Sequence, residues 1–221
     1  MGAKAWFIAY FDDDPKAVLG QAPTLDIDAS RQLAERLFPD ANLDELEPGT
    51  LDLLNPERRQ VFVGDYGGLR IVAHDELSGD YPSRVKARWL DPDLGQTAYL
   101  HATHSVVDWF AYGQWRQGTL VRALSVSPDG GVQEQIGDPL PFEQPFWDGE
   151  ADEDGFDTDD DMEMDDAELI PFHPLDMSDA ALLVHLGFQF EGHPQDWVCD
   201  PMEIPIARFS IKRNRPFWKV W

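Results

Sequence analysis

The sequence predicts an α+β protein: a mainly antiparallel sheet with a central β-meander, and helices mostly on one face. Three observations predict it. Thr119 to Ser127 alternates strictly, with Leu120, Arg122, Leu124 and Val126 on one side and Thr119, Ala123, Ser125 and Ser127 among those on the other. Two turns of recognisable chemistry bracket that stretch, Gln117-Gly118 and Pro128-Asp129-Gly130. Capped apolar stripes of helical period appear in well-separated stretches, chiefly Ser30–Phe38 and Met177–Gly187.

Taken in order, Lys4 to Phe11 is a nearly continuous apolar run, suited to a central strand buried on both faces. Asp12-Asp13-Asp14-Pro15 follows. Three carboxylates at a strand end could hold Mg²⁺; the simpler role is Asp14 capping a short helix that opens at Pro15. Asp28 is expected to cap the next helix, whose stripe of Ser30, Leu33, Ala34, Leu37 and Phe38 is stopped by Pro39. Residues 40–60 hold Pro48-Gly49 and Asn55-Pro56 and read as loop with short helical turns. Val61–Asp65 and Leu69–His74 read as strands around Tyr66-Gly67-Gly68. No Lys-Ser/Thr follows those glycines, so they mark a turn rather than a phosphate cradle. Pro82 to Leu90 is expected as a short helix carrying Arg84, Lys86 and Arg88.

Thr97 to Gly137 holds the meander, read as three strands. The first, Thr97 to Trp115, is expected to bend near His104–Ser105, because an unbroken strand of that length would be unusual. On the third strand Val132, Glu134 and Ile136 continue the apolar face. Arg122 and Glu134 interrupt it. If Ser127 pairs with Gly131, Leu124 faces Glu134 and Arg122 lies diagonal to that carboxylate. The Gln117-Gly118 turn leaves two arrangements open. A bulged turn sets Tyr112 opposite Arg122 and brings Asp108 and His104 to the same side. A two-residue turn puts Trp109, Gly113 and Trp115 there instead. The candidate catalytic residues are therefore His104, Asp108, Arg122 and Glu134, with Tyr112, Arg122 and Glu134 as candidate ligand contacts. The simpler alternative is an Arg–Glu pair that satisfies itself. Ser105 with His104 and Asp108 has the residue types of a hydrolase triad, but no Gly-x-Ser-x-Gly elbow surrounds it.

Forty-two acids against 17 bases give a net charge of −25 over 221 residues, which argues against nucleic-acid or anionic-membrane binding and for solubility, or for a basic protein partner. The lone Cys199 cannot form an internal disulfide and suits a reducing, cytoplasmic setting. No apolar run is long enough to span a bilayer. The expected organisation is one domain over residues 1–211, with an acidic insertion at 148–168 and a basic, aromatic tail at 212–221. Within the insertion, Glu150, Asp152, Asp154, Gly155 and Asp161 fall at loop positions one, three, five, six and twelve of the EF-hand template. Calcium is thus the one cofactor considered, against a solvated acidic loop. Leu140 to Trp147 is a Pro- and aromatic-rich strap that must pack on something. Ser178 is expected to cap the Met177–Gly187 helix, with His185 packed inside it, and His173 and His193 lack partners at metal spacing. Ile204 to Ile211 reads as the last strand.

Met1-Gly2-Ala3-Lys4, Arg36-Leu37-Phe38-Pro39, His104-Ser105-Val106-Val107-Asp108-Trp109 and Leu124-Ser125-Val126-Ser127-Pro128 resemble a widespread actinobacterial family of unassigned function. So do Leu140-Pro141-Phe142-Glu143, Pro171-Phe172-His173-Pro174-Leu175, and Leu186-Gly187-Phe188 with Glu191-Gly192. The resemblance implies no activity, cofactor or catalytic residue. The functional expectation is a non-enzymatic cytoplasmic binding or regulatory protein acting through its acidic surface or tail. The competing classes are an enzyme of hydrolase or acid–base type with a polar cleft on the meander, and a nucleic-acid mimic that binds a basic protein.

Overall fold

The computed structural model describes residues 3–151, 170–190 and 194–213. Its strands are β1 (Lys4–Phe11), β2 (Ala41–Glu45), β3 (Gly49–Thr50), β4 (Gln60–Asp65), β5 (Leu69–Ala73), β6 (Thr97–His104), β7 (Trp109–Arg116), β8 (Thr119–Ser127), β9 (Gly131–Ile136) and β10 (Pro205–Arg213). All pairings are antiparallel, in the order β2-β10-β4-β5-β1-β6-β7-β8-β9, with β3 also on β10. The protein is α+β, and most of its order is sheet.

β1 lies at the centre and feeds both cores. Ala5, Phe7 and Ala9 join one; Ile8 and Tyr10 join the other. Three of the four α-helices among the described residues cover the first face: α1 (Pro15–Leu19), α3 (Gln144–Trp147) and α4 (Pro174–His185). The opposite face is covered by α2 (Ile27–Leu37) and a run of single-turn 3₁₀ helices from Asp75 to Leu94, which buries Leu77, Trp89 and Leu94.

Local chemistry explains the element ends. Asp14 caps α1, accepting from the Lys16 N–H at 3.0 Å, while Asp12 accepts from the Gln96 N–H at 2.7 Å. Those carboxylates therefore serve separate backbone groups rather than one cation. α2 is capped by Asp26, whose carboxylate accepts from the Ala29 N–H at 2.9 Å; Asp28 instead sits in the first turn, where its charge favours the helix dipole. α4 begins at Pro174, earlier than the expected Met177, because proline suits the first helical position and the His173 ring accepts from the Leu175 N–H at 3.3 Å. Ser178 is consequently buried within the helix, not at its cap. Gly187, at φ +79°, ends the helix as expected.

Three stretches differ from the sequence expectation. Residues 40–60 contribute β2 and β3. Residues 82–90 form two separate single turns, Pro82–Arg84 and Ala87–Trp89. Thr97–Trp115 is not one bent strand but the hairpin β6–β7, closed by a turn at Ser105–Asp108 in which Asp108 takes φ +46°. A short polar residue tolerates that left-handed conformation where glycine is commoner. The meander thus has four strands.

Two irregularities decide which side chains share a face. Gln117 and Gly118, at φ +50° and +74°, make a two-residue turn with Arg116 opposite Thr119. Trp115 then pairs with Leu120 and Gln114 with Arg122, leaving Val121 without a partner in the ladder. That bulge reverses the parity, so Tyr112 and Arg122 end on one face even though the turn is tight. A second bulge leaves Gln133 unpaired between Val126↔Val132 and Ser125↔Glu134. It removes Glu134 from the Arg122 face.

Candidate functional site

Arg122 finds a carboxylate, but not Glu134. Its Nε and Nη2 donate to Glu143 at 2.9 and 2.6 Å, and its Nη1 donates to the Ile136 and Gly137 carbonyls at 3.2 and 2.9 Å. Glu143 also accepts from the Tyr112 hydroxyl, from the Leu140 N–H at 2.7 Å and from Trp147 Nε1 at 3.2 Å. Both partners are fully buried, 0% exposed. Burial pushes the Glu143 carboxyl up, but hydrogen bonds from Arg122, Tyr112 and Leu140 outweigh it and hold it below the usual carboxylate range. Burial likewise pushes Tyr112 up, so it stays a phenol. This cluster is closed on itself and has no free valence for substrate. The Pro- and aromatic-rich strap packs here, and Glu143 was signalled by being the only charged residue in it.

The other candidates go elsewhere. Glu134 accepts from the Ser83 N–H at 2.9 Å and hydroxyl at 2.6 Å, pinning the edge strand to a 3₁₀ turn. Asp108 lies 3.8 Å from His173. The four side chains proposed for an enzyme cleft are not assembled, because the bulge at Gln133 and the Ser105–Asp108 turn distribute them over different surfaces. Of the calcium candidates, Asp152, Asp154 and Asp161 lie outside the described residues. Glu150 is exposed, and among the described residues no three His, Cys, Asp or Glu side chains gather as a metal site.

His104, the remaining candidate, lines a surface cleft of about 410 Å³ beside the meander. Trp6 from β1 and Trp109 from β7 line it too, with Asp80 on the preceding loop, Asp129 in the β8–β9 turn, and Gln133. The bulge aims Gln133 here. Trp109 Nε1 donates to Ser125 Oγ at 3.2 Å; Ser125 donates to Gln133 Oε1 at 3.3 Å; and Gln133 Nε2 donates to Ser127 Oγ at 2.7 Å. That chain fixes one wall. By contrast Trp6 Nε1 and His104 Nδ1 are buried and have no hydrogen-bond partner. Leaving a buried polar atom unpaired costs about 1–3 kcal/mol. Val106 and Val107, at the tip of the β6–β7 turn, are exposed beside it. No lysine or arginine lines the cleft.

A second polar line runs through the core under α4. The Tyr99 hydroxyl lies 2.8 Å from His101 Nδ1, and His101 Nε2 lies 3.2 Å from Ser178 Oγ. The His185 ring packs 4.1 Å from that of Tyr99. Burial, aided by His185, lowers His101 to about 3; burial and Lys16 lower His185 to about 4. Both rings are neutral, structural groups.

The architecture defines an antiparallel-sheet α+β protein with an aromatic, acidic surface cleft at the start of its central strand. The chain belongs to a family of unknown function, DUF6928, which matches it over residues 5–209. No curated protein and no solved structure matches it. Among the described residues, no helix is long and apolar enough to cross a membrane.

Proposed function

We propose that this is a cytoplasmic, non-enzymatic binding protein that receives an arginine or lysine side chain of a basic partner protein in the Trp6–Trp109 cleft. One observation carries the reading: two indoles and two carboxylates, with no lysine or arginine, line one opening. A cation beside an indole face gains about 0.5–2 kcal/mol, more as it is desolvated. Asp80 and Asp129 add Coulombic attraction at the rim. The net charge of −25 steers a basic partner toward the surface and raises its on-rate.

The test is a tryptophan-fluorescence titration with a short arginine-containing peptide and its citrulline counterpart, which keeps the shape and loses the charge. Saturable binding of the arginine peptide is expected, weakened about tenfold or more in the citrulline peptide and in Asp80→Asn/Asp129→Asn protein. Equal binding of the two peptides, or an unchanged affinity in the double variant, refutes the assignment.

A further inference from the structure

A separate cleft of about 390 Å³ opens on the α2 side, between the end of α2, the turn before β4, and the His74–Glu76 segment. Arg58, Arg59 and Arg88 line it. Arg88 donates through Nη2 to Glu76, which also holds Lys86 at 2.7 Å, so that carboxylate is already shared by two cations. Arg88 Nε is buried without an acceptor. Arg58 and Arg59 are exposed and have no carboxylate partner among the described residues, in a chain with 42 acids.

The backbone at this point explains why both arginines reach one cleft. Consecutive side chains of an extended segment diverge. Arg59 instead adopts φ +70°, and its carbonyl accepts from the Ile211 N–H at 2.7 Å while the Gln60 N–H bonds the Glu57 carbonyl at 2.9 Å. A non-glycine residue held left-handed at a site with unpaired charge is the pattern of strain retained for function. Asp40 and Asp75 share the lining; Asp75 leans on His74 Nδ1 at 3.0 Å. Leu37, Phe38 and Ile211 supply an apolar wall.

We infer that this cleft binds the phosphate group of a small organic phosphate. Two exposed guanidinium groups on adjacent residues line one opening, with the Arg88 side chain contributed by another segment; more than one guanidinium suits a tetrahedral dianion, whereas a planar carboxylate is satisfied by one bidentate arginine. The apolar wall takes the organic portion, and Asp40 and Asp75 are placed to accept from its hydroxyls.

The experiment is calorimetric titration of the full chain with phenyl phosphate and with inorganic phosphate at physiological salt. Phenyl phosphate is expected to bind more tightly than inorganic phosphate. Arg58→Gln/Arg59→Gln, both at exposed positions, is expected to weaken it about tenfold or more. Arg59→Gly provides a control for folding: it removes one guanidinium and relieves the backbone, so binding falls while the melting temperature holds or rises. Absence of saturation in the millimolar range, equal affinity in the double variant, or undiminished binding by Arg59→Gly overturns the inference.

Discussion

Replacing Glu143 by glutamine isolates the energetic centre of the meander. The variant keeps the shape of the side chain and removes its charge. In the native protein the two carboxylate oxygens accept five hydrogen bonds, two from Arg122 and one each from Tyr112, Leu140 and Trp147. A glutamine offers one acceptor oxygen, and its NH₂ group is turned against donors. The Arg122 guanidinium is left buried without a counter-charge, a change that costs about 3–5 kcal/mol. At about 2–4 °C per kcal/mol for a chain of this size, the melting temperature should fall by about 6–20 °C. Urea midpoints measured by circular dichroism check the figure. Arg122→Met/Glu143→Leu should recover part of the loss: the desolvation penalty goes with both charges, while Tyr112, Leu140 and Trp147 are left without their acceptor. The pH dependence has a fixed sign. A carboxyl held low in the folded state stabilises above the ordinary carboxylate range and loses that contribution as pH falls through its folded value. The native and Glu143→Gln curves should therefore converge on acidification. A loss under about 1 kcal/mol for the single variant, or a double variant as unstable as the sum of the singles, refutes the reasoning.

Other outcomes follow from particular residues. His101 and His185 are neutral when folded, at about 3 and about 4, whereas the unfolded chain takes up protons below about 6.5. Stability should decline as pH falls from that value toward 4, and His101→Gln should flatten the slope of urea midpoint against pH; an unchanged slope counts against the buried neutral ring. Gly137 sits at φ +77°, and an added Cβ would run into the Val121 carbonyl oxygen while its own carbonyl anchors Arg122. Gly137→Ala should cost about 1–3 kcal/mol, and a thermal melt within error of the native one would disprove it. Gln117→Asn, in a turn with two positive φ values, should stabilise by up to about 1 kcal/mol, since Asn-Gly is the favoured pair there; a lowered melting temperature would exclude it.

Glycine and proline signals are legible in the chain, caps only in part, since Asp26 and His173 cap where Asp28 and Ser178 are expected, and alternation is not always enough. Pro39, Gly187, Gln117-Gly118 and Asp14 act where their chemistry says they should. The β6–β7 turn escaped because neither glycine nor proline marks it and Asp108 supplies the left-handed residue. Val121 and Gln133 look like ordinary strand residues, and yet each shifts parity by one; no local pattern distinguishes a bulge from a regular step. Arg122 is legible as a charge on a core face; whether Tyr112 shares that face is left open by the sequence, and the bulge at Val121 decides it. The partner of Arg122 is Glu143, outside the ladder and brought in by a strap whose docking depends on tertiary packing. His104 was found as a candidate, and its neighbours Trp6, Asp80 and Gln133 come from separate strands and loops that no spacing rule links.

The position of β10 bears on how the protein is made. It lies between β2 and β4, and β2 pairs with nothing else in the sheet. During translation the segments that become β2 and β3 emerge early and have to wait for β10, the last strand among the described residues. Until then the nascent chain exposes the flank of β4, a vacant slot open to any extended peptide, so chaperone dependence should be concentrated on that side of the sheet.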